Sequence, residues 1–457
     1  MIRRAGWMVL LAAIAAPAAG QQSGDTLVLS LDDALGIAFG ANPTVQRAAN
    51  DLGLNGPETR ATWLGSVLPS LTLNLLQTGY RGNLQRQGLD NLGRPLENPE
   101  ANWIYTSSTN QSVSLNWSIQ GLSFLDARKR QRQTNRSRLL ALDGAQATLR
   151  TEVEREYFDA LEQRELLAVE EETAVARRRD LETAQRLFGL ARSTRVDVLQ
   201  AELAVEQQSL AIQQQRTSYQ QAVLTLRTTL GDTELPALRP EVEALPVFDP
   251  TGLDADDLVR RAHGDNPQVR TAVSGVDGAQ IGVAEAGQWK WPSLNLGYDW
   301  GQFDQTQEAD ALFSLGYDPD RVQSSFRVSI GLPFFTNYFQ NRSAEAQAQV
   351  SLNNQRESLD ETRLQVEQEV RSQLINLRNQ GETLRLAGRS LAIAEDAVRL
   401  AREEYRIGTR TFEQLQDAVE QEATSRRQVI QARYGFVDAL IALESAVGGP
   451  VRPDAGG

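Results

Sequence analysis

Sixteen apolar side chains recur along this sequence in two runs of identical spacing. The first is Leu142, Leu149, Val153, Ala160, Leu167, Ala174, Leu181 and Phe188; the second is Leu359, Val366, Val370, Leu377, Leu384, Leu391, Val398 and Tyr405. Each steps by seven, then four, then sevens. In a chain that is 41% apolar, about seven of sixteen positions would be apolar without selection, so the pattern carries information. A sustained heptad is a coiled-coil seam, and the shared four-residue step is a stutter that locally unwinds the supercoil. Ala387, Ala394 and Ala401 follow three residues after Leu384, Leu391 and Val398, a large-small alternation that admits close antiparallel neighbours. From Leu122 to Leu190 such a helix is about 100 Å long, more than an ordinary globular domain uses.

The rest of the chain is also written twice. Leu31-Asp32-Asp33-Ala34-Leu35 leads to Asn42-Pro43, and Leu253 to Leu258 leads to Asn266-Pro267, each a short helix halted before proline. Helical stretches then reach Pro69-Ser70-Leu71 and Pro292-Ser293-Leu294, after which the period falls to two. Leu71, Leu73 and Leu75 alternate with polar residues, as do Leu294, Leu296, Tyr298 and Trp300. Beyond a polar loop, Val113, Leu115, Trp117 and Ile119 return in the first half, and Phe326, Val328, Ile330 and Leu332 in the second. Each half contributes one β-hairpin and one long helical hairpin. The expected organisation is a signal peptide at 1–20, a first repeat at 21–247, a second at 248–447 and a disordered tail at 448–457.

The signal reading rests on Arg3 and Arg4, the apolar run from Trp7 to Ala16, and small residues at Ala18 and Gly20. Removing those two arginines takes the net charge from −13 to −15, an acidic balance that argues against a nucleic-acid partner. The chain has no cysteine, hence no disulfide framework, no thiol chemistry and no lipid-bearing Cys. No later stretch offers eighteen consecutive apolar residues, so a membrane could be crossed only by strands. Four strands with one apolar face cannot close, and open edges are not tolerated in hydrocarbon; such a wall needs further copies of the chain.

At the ends of the helical hairpins lie Tyr405-Arg406-Ile407-Gly408-Thr409-Arg410-Thr411-Phe412, followed by Leu415 and Ala418, and Phe188-Gly189-Leu190-Ala191-Arg192-Ser193, followed by Asp197, Leu199 and Ala201. With the duplicated Asn-Pro to Pro-Ser-Leu passage and the junction Gly331-Leu332-Pro333-Phe334-Phe335, they make the chain resemble the TolC family of outer-membrane factors over essentially its whole mature length. The resemblance implies a mainly α fold with a membrane β-barrel portion. A trimeric, twelve-stranded barrel would continue into a periplasmic α-barrel. It implies a passive efflux or type I secretion conduit in the outer membrane, serving an inner-membrane transporter through a periplasmic adaptor, with no cofactor and no metal. In that family the tips close the periplasmic entrance through links among a tyrosine, an arginine and a neighbouring carboxylate. Tyr405, Arg410 and Asp197 match those positions, and Asp417 matches one of two carboxylates at the constriction. Gln414 stands in place of the other, which implies weaker cation selectivity. Phe188, Gly189, Ala191, Gly408 and Thr409 match the tip positions that meet the adaptor. The interruption Asn55-Gly56-Pro57-Glu58 has no counterpart in the second half, where Gly278-Ala279-Gln280-Ile281 runs on, and predicts a break in that helix.

Two other classes remain in view. A soluble sandwich with one solvated face would also account for the strands, and a periplasmic coiled-coil scaffold or adaptor for the heptads, but an adaptor carries one hairpin with compact β-domains. An enzyme is disfavoured by a single histidine, His263, the absence of spaced metal ligands and the lack of a phosphate-cradling glycine loop.

Overall fold

The computed structural model describes residues 27–86, 94, 101–231, 238–241, 245–306, 319–332 and 337–452. The expected signal peptide and residues 333–336 of the strand-to-helix junction lie outside them. Strands are β1 (Leu27–Leu29), β2 (Ser70–Arg86), β3 (Ala101–Gln120), β4 (Leu238–Pro240), β5 (Ser293–Thr306) and β6 (Val322–Gly331). Helices are α1 (Leu31–Ala41), α2 (Pro43–Leu52), α3 (Asn55–Val67), α4 (Ser123–Gly189), α5 (Arg195–Leu230), α6 (Ala255–Asp265), α7 (Pro267–Ala286), α8 (Tyr338–Ile407) and α9 (Phe412–Val447). The fold is mainly α with a β portion. Contacts divide it into two compact units: one of Met1–Asn42, Glu152–Val247 and Glu382–Asp438, the other of Pro43–Thr151, Phe248–Gly381 and Ala439–Gly457. The units interleave along the chain and do not coincide with the two sequence repeats.

In the second unit the four long strands form one antiparallel sheet in the order β2-β3-β5-β6, so the two hairpins join through β3 and β5, and among the described residues β2 and β6 keep free edges. Register explains the alternation. Leu71 pairs with Leu115, Leu115 with Tyr298 and Tyr298 with Phe326; Ile119, Leu294 and Ile330 form another such row. These apolar side chains share one face. Asn116, Gly297 and Arg327, and likewise Thr72, Ser114, Asp299 and Ser325, occupy the other, where Arg327 lies 3.9 Å from Asp299. A bulge between Asn74 and Gln77 shifts β2 by one residue. Before it the odd positions carry the apolar face; after it the even ones do, so Tyr80 and Leu84 stay aligned with Tyr105 and Trp103 through their β3 partners. Tyr80 and Tyr105 stack with ring centroids 5.5 Å apart.

In the first unit the short parallel pair β1–β4 is fixed to α4 by Tyr157, whose buried hydroxyl lies 3.0 Å from the Leu29 carbonyl and 2.9 Å from that of Glu241 and donates to one at a time. Burying such a side chain stabilises by about 2 kcal/mol. Of the sixteen heptad positions, all except Phe188 are buried or half-buried.

The duplicated Asn-Pro has a shared task. Asn42 donates its side-chain amide to the Thr229 carbonyl at 3.0 Å, and Asn266 to that of Ala446 at 2.8 Å, each satisfying the last turn of the second long helix of its own repeat. Those helices end at Gly231 and Gly448, whose φ values of 79° and 85° suit glycine. Residues 448–452, expected to begin a disordered tail, are instead held down. Val451 is 5% exposed and its N–H donates to Glu444, which also pairs with Arg452 at 3.2 Å. A break is present, just ahead of the predicted place: α2 stops at Leu52 and α3 starts at Asn55, so Asn55-Gly56-Pro57-Glu58 form the first turn of α3, where proline is tolerated, whereas α7 continues over 20 residues.

Candidate gate at the hairpin tips

Both helical hairpins turn by the same hydrogen bonds. After α4, the Arg192 N–H donates to the Leu187 carbonyl at 2.8 Å and Ala191 to Phe188 at 2.9 Å; after α8, Thr409 donates to Glu404 at 3.0 Å and Gly408 to Tyr405 at 3.1 Å. The left-handed residue is Ala191 in one, φ 56°, and Gly408 in the other, φ 86°. Each return helix then opens with a capping box. The Asp197 N–H donates to the Thr194 hydroxyl at 3.2 Å and the Thr194 N–H to the Asp197 carboxylate at 2.9 Å; Gln414 and Thr411 exchange the same bonds at 3.3 and 3.2 Å.

The four helix ends share one core of Ala184, Leu187, Val198, Ala201, Val398, Ala401, Tyr405, Phe412, Leu415 and Val419. Tyr405 packs edge-on to Phe412 at 5.5 Å, and its buried hydroxyl has no well-formed hydrogen bond among the described residues. Burial raises the Tyr405 pKa; the nearby Ser193 hydroxyl works against this, and the Asp197 and Asp180 carboxylates add to it. For Asp197, burial also acts upward, yet the bonds from Thr194 and Ser193 outweigh it and hold the carboxyl below its ordinary value. Ser193 donates to Asp197 at 2.8 Å.

Of the positions singled out in the sequence, Tyr405 and Asp197 come close together, while Arg410 is engaged within its own hairpin. Tyr405 reaches the first hairpin beside Asp197; Arg410 lies 3.0 Å from Glu404 of its own hairpin. Asp197 serves as the cap of α5, and Gln414, in the equivalent place, as the cap of α9. Asp417 and Gln414 are exposed on α9, and Phe188, Gly189, Ala191, Gly408 and Thr409 are exposed at the two turns. Leu190, Val196, Leu199 and Ile407 add exposed apolar surface there.

Sequence reasoning missed the charges that clamp α9 to α4. Arg177 reaches Gln416 at 2.8 Å and Glu420 at 2.6 Å, Arg426 reaches Glu172 at 3.1 Å, Arg427 reaches Glu170 at 3.0 Å, and Arg433 reaches Glu165 at 3.4 Å. The Tyr434 hydroxyl donates to Glu165 at 2.8 Å. Arg402 of α8 lies 3.5 Å from Asp180, whose other oxygen is buried without a partner and whose pKa burial raises. One signal was available: arginines of α9 and glutamates of α4 recur in opposite order, as antiparallel neighbours demand.

Among the described residues no helix is long and apolar enough to cross a membrane. A family model described as outer membrane efflux protein matches residues 258–449. The outer membrane protein TolC of Salmonella enteritidis is 22% identical over 352 residues, 76% of this chain and 71% of that protein. That of Escherichia coli K12 is 23% identical over 355 residues, with the same coverages. Among solved structures, CusC superposes with a TM-score of 0.73 at 17% identity, covering 93% of this chain and 94% of CusC. The open-state MtrE channel of Neisseria gonorrhoeae gives 0.69 at 19% identity, covering 93% and 91%.

Proposed function

Since the chain belongs to the TolC family of outer membrane efflux proteins and resides in the outer membrane, we propose that three copies assemble into one passive duct, gated at the hairpin tips, for a tripartite efflux pump or a type I secretion system. The observation that carries this reading is the sheet. It has four strands, one continuous apolar face, one polar face with Arg327 and Asp299, and two unpaired edges, and a wall of that kind is stable in hydrocarbon only when other copies complete it. The helices support the same count-independent conclusion. Val196, Leu203, Leu210 and Leu224 form an exposed heptad stripe on α5, and Leu386, Ile393, Leu400 and Ile407 form another on α8. Two unpartnered seams on one chain suit head-to-tail packing around a ring.

The duct does no chemistry; its barrier is mechanical. Opening moves the Arg410-bearing turn away from its neighbours, a two-state change biased by a periplasmic adaptor at Phe188, Gly189, Ala191, Gly408 and Thr409 and so by an inner-membrane transporter. Arg410 is held by Glu404 within its hairpin and is free to exchange that partner for a carboxylate such as Asp197 at low cost, because both side chains are a third exposed. Reconstituted protein should show a low single-channel conductance that rises when Arg410→Ser and Asp197→Ala are combined. Unchanged conductance in that double variant would refute the assigned gate, and an impermeable monomer would refute the duct.

A further inference from the structure

Helix α3 is built inside out. Asn55, Glu58, Thr59 and Thr62 fall on one helical face, and that polar face is turned onto α4. Arg138 donates to Asn55 at 3.0 Å and to the two Glu58 oxygens at 2.9 and 2.8 Å, Asn135 donates to the Thr59 hydroxyl at 3.1 Å, and Thr62 donates to Gln131 at 3.3 Å. The opposite side presents Trp63, Leu64, Val67 and Leu68, which are 51%, 43%, 41% and 56% exposed. A helix that faces water places these two sides the other way round.

The position of α3 identifies what the apolar side meets. It passes into β2 through Leu68 and Pro69 without a loop, and the apolar face of β2 starts at Leu71. Four rows of the sheet, from Ile119–Leu294–Ile330 to Leu73–Val113–Trp300, carry that face at its α3 end; past the mixed row Gln111–Gln302–Val322, Tyr80, Leu84, Trp103 and Tyr105 resume it toward the strand tips. At the α3 end the apolar surface runs on along the chain from Leu71 through Leu68 and Val67, and Trp291 and Leu332 are exposed there as well. Arg60, exposed one turn before Leu64, is placed to reach lipid phosphate.

We propose that α3 lies in the headgroup and acyl boundary of the periplasmic leaflet, with Trp63, Leu64 and Val67 in contact with phospholipid and Arg60 at the phosphates. This rests on the reading above that the helices lie on the periplasmic side of the barrel. The break after Leu52 separates α3 from α2 and lets it take its own orientation; α7 of the second repeat has no such freedom.

Because the chain lacks cysteine, single variants Leu64→Cys and Val67→Cys can each carry a fluorescent label in the full-length protein, reconstituted in phosphatidylcholine vesicles with or without brominated acyl chains. Leu73→Cys on the apolar face and Ser114→Cys on the polar face are the references. The proposal expects bromolipid quenching at 64 and 67 to reach at least about half that at 73, with little quenching by aqueous iodide. Iodide quenching at the level of position 114 overturns it in favour of water. Protection from both quenchers, with cross-linking to a second copy, overturns it in favour of a neighbouring chain. If position 73 itself is untouched by bromolipid, the membrane reading of the sheet fails instead, which separates the two failures.

Discussion

Helices α5 and α9 are the return arms of the two hairpins, and each is 36 residues long. Residues 217 positions apart do the same work in both: Ala191 and Gly408 at the turn, Thr194 and Thr411 at the cap, Gly231 and Gly448 at the far end. Their flanks differ. Leu203 and Leu210 of α5 are exposed, whereas Glu420 and Arg427 stand at the equivalent positions of α9 and are engaged by Arg177 and Glu170 of α4. On the outgoing arms the asymmetry reverses: α8 exposes Ile393 and Leu400, where α4 has Ala176 and Thr183. The return arm of the second repeat is thus charged and closed against its own chain, while that of the first is apolar and open. In the assembly proposed above, each repeat then needs a partner on one flank only.

The largest test of that contrast makes α5 resemble α9. Replacing Leu203→Glu and Leu210→Arg together removes two apolar anchors worth about 2 kcal/mol each per seam. The yield of the trimer proposed above, recovered by cross-linking in outer-membrane fractions, should fall by more than about tenfold, while the helical signal of the protein stays the same. A trimer of undiminished yield would mean that the α5 stripe is not an interface.

The two Asn-Pro corners offer the next comparison. Asn266 donates to Ala446 and also accepts from the N–H groups of Gln268 and Val269, so it caps two helices, and Asn42 donates to Thr229 at the matching place in the first repeat. Asn266→Ala and Asn42→Ala should each lower unfolding stability by about 1–2 kcal/mol, read from denaturant melts. A loss at one corner only would mean that the two corners do not share this task.

These elements also mark what the sequence could and could not disclose. Periods of two and seven are local, so the hairpins, the seams and the break before Asn55 were legible from the residues alone. The bulge between Asn74 and Gln77 was not, because Leu75-Leu76 reads equally well as an error in alternation or as a register shift, and only the β3 partner decides. The task of Asn42 and Asn266 was hidden for the same reason: their acceptors lie 187 and 180 residues away. At the tips the sequence offered Arg410 as a linking residue without disclosing its partner. Glu404 comes within 3.0 Å only because the turn at Gly408 folds the chain back.

A smaller effect separates the outgoing arms. Burial beside Asp159 and Glu165 raises Glu162 to about 7 from 4.5, while the equivalent residue of α8 is the neutral Asn379. With the folded pKa above the unfolded one, stability is highest where both states hold the proton, below pH about 4.5, and falls as pH rises through about 7. After allowance for the exposed part of the side chain the loss is about 1 kcal/mol. Glu162→Gln should match the parent at pH 4 and exceed it by that amount at pH 8; a constant difference at both pH values would place the cause elsewhere.

The finest distinction lies in the turns themselves. Ala191 holds φ 56°, a conformation that costs an L-residue about 1 kcal/mol, whereas Gly408 adopts φ 86° freely. Ala191→Gly should therefore stabilise the first tip by a few tenths of a kcal/mol, the relief of strain being partly offset by the greater backbone freedom of glycine in the unfolded chain. Gln414→Asp supplies the second tip with the charged cap that Asp197 gives the first, worth about 0.5 kcal/mol at a helix N-terminus. The two changes together make the turns chemically alike. If the tips differ only in strain and charge, the double variant gains both increments additively in thermal melts and its reconstituted channel turns more cation-selective. If the gains fail to add, the turns are coupled through the core that Tyr405 and Val198 share, and the two tips respond as one body.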